Sequence, residues 1–433
     1  MAESNGTEGK ALRIAIVGAG LVGATAAIAL SRLQNVQVAV YERSSGARET
    51  GAWIAMNVSG LRILSQVLPD YSQLRQIMYQ GSMGISHRHW RTGEVLAVSE
   101  SLHTSPLYRE GRTHRVPLHN LLLSHVPAGM IQYSKEVVAI EVTKGSVARL
   151  EFADGAMVEA DLVVAADGLH SRLRRKYLPD STPAYRGAVA YRQIFPEKLL
   201  RDIKDLPEGT SSWQKNHGEI AYMSKVGLGK YGLVAIVRED PEFAAPLRWA
   251  HALGSSGVDR LRKHFEHWDP VISKVVNRLP GIDAYRLESA PWMENMTRDA
   301  VIAFIGDAAH PTAGAYGAGA TFGFGDVWAL YRSLLRSVGN GENDSSGYDI
   351  PRALSMFNRI RRPFLERVEK QLQLDKKNSE YIAATQDERQ WTDRWKERFS
   401  MNWWMLEHDV EAECQKVEAE VYHDRTISHR ARL

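Results

Sequence analysis

The sequence predicts an α/β fold in which a βαβ unit opens the chain, a sheet region is inserted in the middle and helices close it. Three observations lead there. Leu12-Arg-Ile-Ala-Ile-Val17 is a short β-branched run that stops at glycine, and an Ala-rich, helix-favouring stretch follows to about Leu33. Residues from about 183 to 285 alternate apolar and polar side chains, the pattern of a sheet with one face covered by a second layer. From about Pro351 the chain is charged, helix-rich and rich in tryptophan, with Trp391, Trp395, Trp403 and Trp404.

Taken in order, Val36 to Tyr41 reads as the second strand of the opening unit. Val137 to Val142, Asp161 to Ala166 and Val301 to Ile305 are further strands, each followed by Gly or Asp punctuation. Within the alternating region the clearest stretches are Gly187 to Ile194, Glu219 to Ser224 and Tyr231 to Val237. Gly339 to Gly347 has the composition of a linker. The expected division is 10–180 for the first part of the α/β domain, 181–285 for the inserted sheet domain, 286–345 for the second part of the α/β domain and 350–433 for the C-terminal helices.

A chain of 433 residues is too long for one compact core. Its formal net charge of +3 gives no reason to expect nucleic acid without a clustered basic face. Arg172, Arg174, Arg175 and Lys176 do cluster, but such a short run reads as a solvated helix face. Cys414 is the single cysteine, which excludes an intramolecular disulfide and suits a reducing compartment. Met1 to Lys10 lacks the apolar core of a signal peptide, and no apolar run approaches the ~18 residues of a membrane span, so a cytoplasmic location without membrane insertion is expected. His87, His89, His114 and His119 show no metal-ligand spacing with carboxylates, so no metal is expected.

The first chemical motif is Gly18-x-Gly20-x-x-Gly23. The first glycine allows a tight turn, the second lets the backbone approach a pyrophosphate, and the third lets helix and strand pack closely. The helix N-terminus then offers free N–H groups to the anion. Glu42, at the end of the second strand, stands where a carboxylate accepts hydrogen bonds from a ribose 2′-OH. This motif alone leaves NAD and FAD both open.

Two later stretches choose between them: Asp161-Leu-Val-Val-Ala-Ala-Asp167-Gly168-Leu-His-Ser171-Arg-Leu-Arg174, and Val301-Ile-Ala-Phe-Ile-Gly306-Asp307-Ala308-Ala309-His310-Pro311. With all three motifs in order, the chain resembles the single-component FAD-dependent aromatic hydroxylases of the para-hydroxybenzoate and salicylate hydroxylase type. It looks closest to the salicylate-hydroxylase-like branch, which includes fungal phenol-dearomatising enzymes. The resemblance implies a Rossmann-like FAD-binding domain with an inserted substrate sheet, and FAD as the resident cofactor. It also implies transient NADPH or NADH, and oxygen transfer to an aromatic substrate through a flavin C4a-hydroperoxide. It carries over FAD contacts to Asp167, Asp307 and Arg115, and to the backbones of Ala55, Gly319 and Ala320. The chain departs from the family at Ala318, Thr321 and Gly325-Asp326, where only backbone contacts are carried over, and at Trp53, which stands beside the expected flavin either to shape the pocket or as a packed core residue.

An electron-rich ring reacts fastest as its phenolate, so the pocket needs a cation or donor aimed at the phenolic oxygen. Arg192 and Tyr222 lie on strand-like stretches of the inserted region and look like the Arg and Tyr that hold the phenolate in the dearomatising branch. His310 follows Asp307 closely enough to move a proton near the flavin, and a structural role for it is equally open. Two rival readings are an epoxidase acting on an indole or alkene through the same cofactor, and a dinucleotide-binding interaction protein that uses only the first motif.

Overall fold

The opening unit forms as its residues dictate. Leu12–Val17 pairs in parallel with Val36–Tyr41 on one side and with Leu162–Ala165 on the other. Ile14, Ile16, Leu162, Val163 and Val164 are buried, as strands covered on both faces must be. The helix Leu21–Leu30 crosses between the strands, and its buried Ala24, Ala26, Ala27 and Ala29 keep it close to the sheet. At Gly23 a Cβ would stand 1.9 Å from the Gly18 carbonyl oxygen, so this approach admits glycine alone. A computed structural model describes residues 10–430 apart from 48–51, 82–83, 100–104, 144–146, 216–217, 248–250, 339–346, 386 and 399–402. The expected linker Gly339 to Gly347 falls almost wholly outside the described residues.

The central sheet has six strands in the order Thr297–Arg298, Ile302–Phe304, Leu162–Ala165, Leu12–Val17, Val36–Tyr41 and Ile131–Gln132. Its loops bring the Gly18 turn, Asp167 and Asp307 out at the same end, because all three follow the C-terminal ends of neighbouring parallel strands.

The alternating region builds an eight-stranded sheet in the order His251–Leu253, Ile282–Ser289, Ala184–Pro196, Lys230–Arg238, Ile220–Gly227, Thr210–Gln214, Ile85–His89 and Val95–Ser99. The alternation sorts the side chains by face. Tyr191, Leu233, Ala235, Met223 and Trp213 enter a separate core shared with the helices Gly254–His264 and Pro270–Val276. Arg192, Val234 and Tyr222 lie on the opposite face. A small sheet of Trp53–Met56, Gly111–His114 and Met78–Tyr79 packs against that face. There Trp53 fills the space a side chain at Gly232 would need, with a Cβ only 2.7 Å from its Cδ1.

The sheet differs from the sequence expectation in one respect. Ile85–His89 and Val95–Ser99 belong to it, although they precede the expected boundary near 181. Ile85–His89 pairs in parallel with Thr210–Gln214, and His87 Nδ1 lies 2.8 Å from the Ser212 hydroxyl. Local periodicity identifies a strand but not a partner so distant in the chain.

The helical C-terminal region serves both halves. Phe357, Ile360, Leu365 and Val368 of the helix Ile350–Ala384 join the core of the six-stranded sheet through the helix Gly319–Leu335. Trp391 instead completes the second core, stacked on His89 at 5.8 Å between ring centres. Among the described residues no helix is long and apolar enough to cross a membrane.

Candidate active site

The cradle at the first motif has the shape its glycines predict. Gly18 takes a left-handed φ of 101°, and a side chain there would strike Ala166. At Gly20 a Cβ would meet nothing within 4 Å, so the backbone faces open space at the very place a pyrophosphate would approach. Glu42 steadies this turn. Its Oε2 accepts the Ala19 N–H at 2.8 Å, and its Oε1 accepts the N–H and the hydroxyl of Ser44 at 2.8 and 2.7 Å. His119 closes the turn from the other side, with Nε2 donating to the Ala19 carbonyl at 2.7 Å.

Two helices point bare N-termini into the same region. Leu21–Leu30 begins after Gly20 and Gly319–Leu335 after Ala318, and neither residue has a side chain able to cap. Elsewhere the chain does cap, with Asn57 accepting the Gly60 N–H and Ser171 the Arg174 N–H. The N–H groups of Gly319 and Ala320 therefore have no partner within their helix and carry its positive end. Ala55 stands close by, its Cβ 3.3 Å from where a Cβ on Gly317 would be. Arg115 opens the helix Arg115–Ser124, with its N–H donated to the Ala52 carbonyl.

Asp167 accepts the Arg172 N–H with Oδ2 at 3.0 Å, while its Oδ1 has no hydrogen-bond partner among the described residues. Asp307 is exposed on the wall of the cleft, and its Oδ1 is 3.5 Å from where a Cβ on Gly319 would be. Surrounding protein pushes the half-buried Asp167 carboxyl above the ordinary range. Such a carboxylate gains most from donors brought by a bound ligand. The open space at Gly20, the two bare helix ends and the unpartnered Asp167 oxygen together fit an adenine dinucleotide bearing ribose and ribityl hydroxyls.

Beneath the Asp307 turn lies a buried ionic network that the sequence reading did not foresee. Asp326 accepts the Gly306 N–H at 2.8 Å and His310 Nε2 at 2.6 Å on one oxygen, and Arg361 Nε at 2.8 Å on the other. His310 is 2% exposed, so its ring braces the turn from below. Gly325 makes room for the network, since a Cβ there would lie 3.2 Å from the Arg361 guanidinium carbon. Thr321 accepts the Asn57 side-chain amide at 3.0 Å. The side chains of Thr321 and Asp326 are thus turned inward. One correction concerns the basic cluster. Arg174 is fully buried and donates to the Asp307 carbonyl at 3.1 Å, so it is no solvated residue.

On the sheet face, Arg192 and Tyr222 both stand opposite Val234, which puts them in one row two strands apart, about 10 Å. The Arg192 guanidinium lies 4.6 Å from the centre of the Tyr285 ring, its Nε has no hydrogen-bond partner, and no carboxylate among the described residues is within ion-pairing distance. Burial lowers its pKa. Burial also raises the Tyr285 hydroxyl, while the nearby charges of Arg192 and Arg115 oppose that rise. Tyr285 therefore marks the point where the sheet face meets the cofactor half.

Residues 11–194 match the family model described as FAD binding domain. The 3-amino-4-hydroxybenzoate 2-monooxygenase of Streptomyces cremeus is 29% identical over 361 residues, covering 81% of this chain and 86% of the relative. The 6-methylsalicylate 1-monooxygenase atA of Aspergillus terreus is 27% identical over 90% of this chain and 89% of its own length. The chain is an FAD-dependent monooxygenase, similar to the salicylate-hydroxylase-like aromatic monooxygenases. A salicylate hydroxylase in complex with its substrate shares the fold, with a TM-score of 0.76 at 21% identity over 94% of this chain and 98% of that one.

Several residues around this candidate site carried no signal in the sequence. Tyr285 is one, because an isolated tyrosine in a strand has no motif. Glu110 and Arg112 are others, each more than nine-tenths buried on or beside Gly111–His114, with Glu110 Oε1 and Arg112 Nε lacking hydrogen-bond partners among the described residues. The Arg112 guanidinium stands 5.7 Å from the Trp53 ring centre, so Trp53 is held between the small sheet and the substrate sheet.

Proposed function

We propose that the monooxygenase hydroxylates or dearomatises a small phenolic substrate, bound as its phenolate between the sheet face that carries Arg192 and the bound FAD. The observation that carries this reading is Arg192, a guanidinium in the cleft that no carboxylate among the described residues neutralises. An uncompensated cation of this kind is costly unless a ligand supplies the anion. The two relatives support the substrate class, since the substrates in their names, 3-amino-4-hydroxybenzoate and 6-methylsalicylate, are both phenols.

Gly18, Gly20 and Gly23 with Glu42 hold the adenosine and pyrophosphate portion, and Arg115 pairs with the pyrophosphate, for which a bidentate guanidinium is suited. Asp167 and Asp307 take ribose and ribityl hydroxyls. Ala55, Gly319 and Ala320 offer backbone groups to the isoalloxazine. When bound, FAD supplies hydride acceptance from NADPH or NADH and the activation of molecular oxygen for transfer to an electron-rich ring. Arg192 stabilises the phenolate, Tyr222 orients it or shares its proton, and the Trp53 side of the small sheet keeps water out. His310 acts with Asp326 and Arg361 to hold the turn that carries Asp307.

The test is oxygen-dependent NADPH oxidation across phenols, benzoates and indoles, with products identified by mass. Phenols should stimulate oxidation and gain one oxygen atom. Stimulation by indoles or alkenes alone would replace this reading with epoxidation.

A further inference from the structure

The helix Ile350–Ala384 turns one stripe toward the cofactor half. Arg361, Phe364, Val368, Leu372 and Asp375 recur at helical spacing along it. Both ends of the stripe are buried and charged, Arg361 at 1% and Asp375 at 6% exposure. Arg361 meets Asp326 under the Asp307 turn. Asp375 accepts the Tyr316 hydroxyl on one oxygen and the Gln371 amide on the other at 3.0 Å.

Tyr316 belongs to an unusual turn. Ala313, Gly314, Tyr316 and Gly317 have φ of 53°, 81°, 56° and 60°, so two side-chain-bearing residues hold the left-handed region. Such residues stay there only when their surroundings fix them. The turn runs directly into Gly317, which abuts Ala55, and into the bare N-terminus at Gly319 beside Asp307. The anchor that fixes this turn comes from a helix 59 residues further along the chain.

We propose that Tyr316 and Asp375 are positioning residues for the flavin: their hydrogen bond sets the left-handed turn and thereby aims the first-turn N–H groups of Gly319–Leu335. The C-terminal helix is then part of the cofactor site. This rests on the reading above that Gly319 and Ala320 face FAD. First-turn N–H groups stabilise the negative charge of reduced flavin more than neutral oxidised flavin. Loosening the turn therefore weakens FAD binding and lowers the flavin midpoint potential.

The test reconstitutes apoprotein with FAD, measuring affinity by quenching of flavin fluorescence and the midpoint potential by spectroelectrochemistry. Tyr316→Phe, Asp375→Ala and the double variant are compared with Leu374→Ala on the exposed side of the same helix. Each single variant should bind FAD about tenfold more weakly, equivalent to about 1.4 kcal/mol, which is the scale of one hydrogen bond to a charged group. The potential should fall, and the double variant should be no worse than either single one, because both act through the same bond. A contact that merely packs the helix would lower thermal stability and leave affinity and potential unchanged, and that result overturns the proposal. So would additive losses in the double variant. Asp307→Ala separates the two levels of inference: if it abolishes FAD binding while Tyr316→Phe is silent, only the positioning role falls. If neither variant affects binding, the assignment of the flavin site falls with it. Should Asp375→Ala fail to fold, Tyr316→Phe decides alone, since it removes a single oxygen atom.

Discussion

Replacing Arg192 with methionine isolates the charge at the sheet face, because methionine keeps much of the volume and removes the cation. Two unit charges about 4 Å apart interact by roughly 4 kcal/mol at an effective dielectric constant of about 20. Nothing in the protein neutralises Arg192 within ion-pairing distance among the described residues, so most of this field is available to a bound phenolate. A loss of that size is roughly three powers of ten in kcat/KM, or about three units in the pKa of the bound phenol. Water entering the vacated space would restore part of it, so a loss of about a hundred- to a thousandfold is expected. The sign is fixed by the charge. A cation favours the phenolate and lowers the phenol pKa, so its removal raises that pKa, and the acid limb of the kcat/KM profile moves to higher pH. Activity should recover partly under alkaline conditions, while FAD content stays normal. Thermal stability should hold or rise, since a half-buried cation with no carboxylate partner among the described residues is replaced by an apolar side chain. The measurement is product formation coupled to NADPH oxidation across pH. An unchanged acid limb with unchanged turnover would show that Arg192 does not hold the substrate anion.

Asp307→Asn keeps the shape of the turn and removes the carboxylate; it should retain less FAD through desalting, seen as loss of the flavin absorbance, and Asp307→Ala should be colourless. Arg361→Met strands Asp326, which is 0% exposed, and should cost about 3–5 kcal/mol by denaturant unfolding, with part of the loss recovered when Asp326→Leu is added. His408 is stacked on Phe364 at 3.9 Å between ring centres, and burial with the nearby arginines lowers its pKa to about 3. Its folded pKa lies below the unfolded value, so it stabilises fully above about pH 6.5, and the contribution is lost as pH falls toward about 3. His408→Gln should flatten the fall in melting temperature over that acid window, and an equally steep fall would remove His408 as its source. Gly23→Ala should prevent both stable folding and FAD uptake, given the 1.9 Å approach to Gly18.

The parts of the fold that were legible in the sequence are those whose physics is local. The β-branched run into Gly18, the buried alanines after it and the alternation about Arg192 each encode an element and its buried face within a few residues. The placement of Asp167 and Asp307 at one end of the sheet was legible because each follows the end of a short apolar strand. What escaped depends on contacts between distant segments. The parallel pairing of Ile85–His89 with Thr210–Gln214 has no signature in either strand. Arg174 sits in a basic run that looks solvated until the Asp307 turn folds over it, and charge alone does not reveal which member of such a run is enclosed.

The three departures at the third motif have one physical explanation. Ala318 cannot cap the helix it precedes, which leaves the first-turn N–H groups free for a ligand. Thr321 meets Asn57 instead of the cleft, locking Gly319–Leu335 to the neighbouring helix Val58–Val67, where Gly60 permits the contact. Gly325 gives up a side chain so that Arg361 and Val410 of the C-terminal helices can reach the same helix. Each substitution moves side-chain work away from the cofactor surface and into its support, with Asp326 as the joint between them. A motif that looks weakened in sequence thus leaves its backbone toward the cleft, and makes the geometry of that backbone depend on helices more than thirty residues downstream.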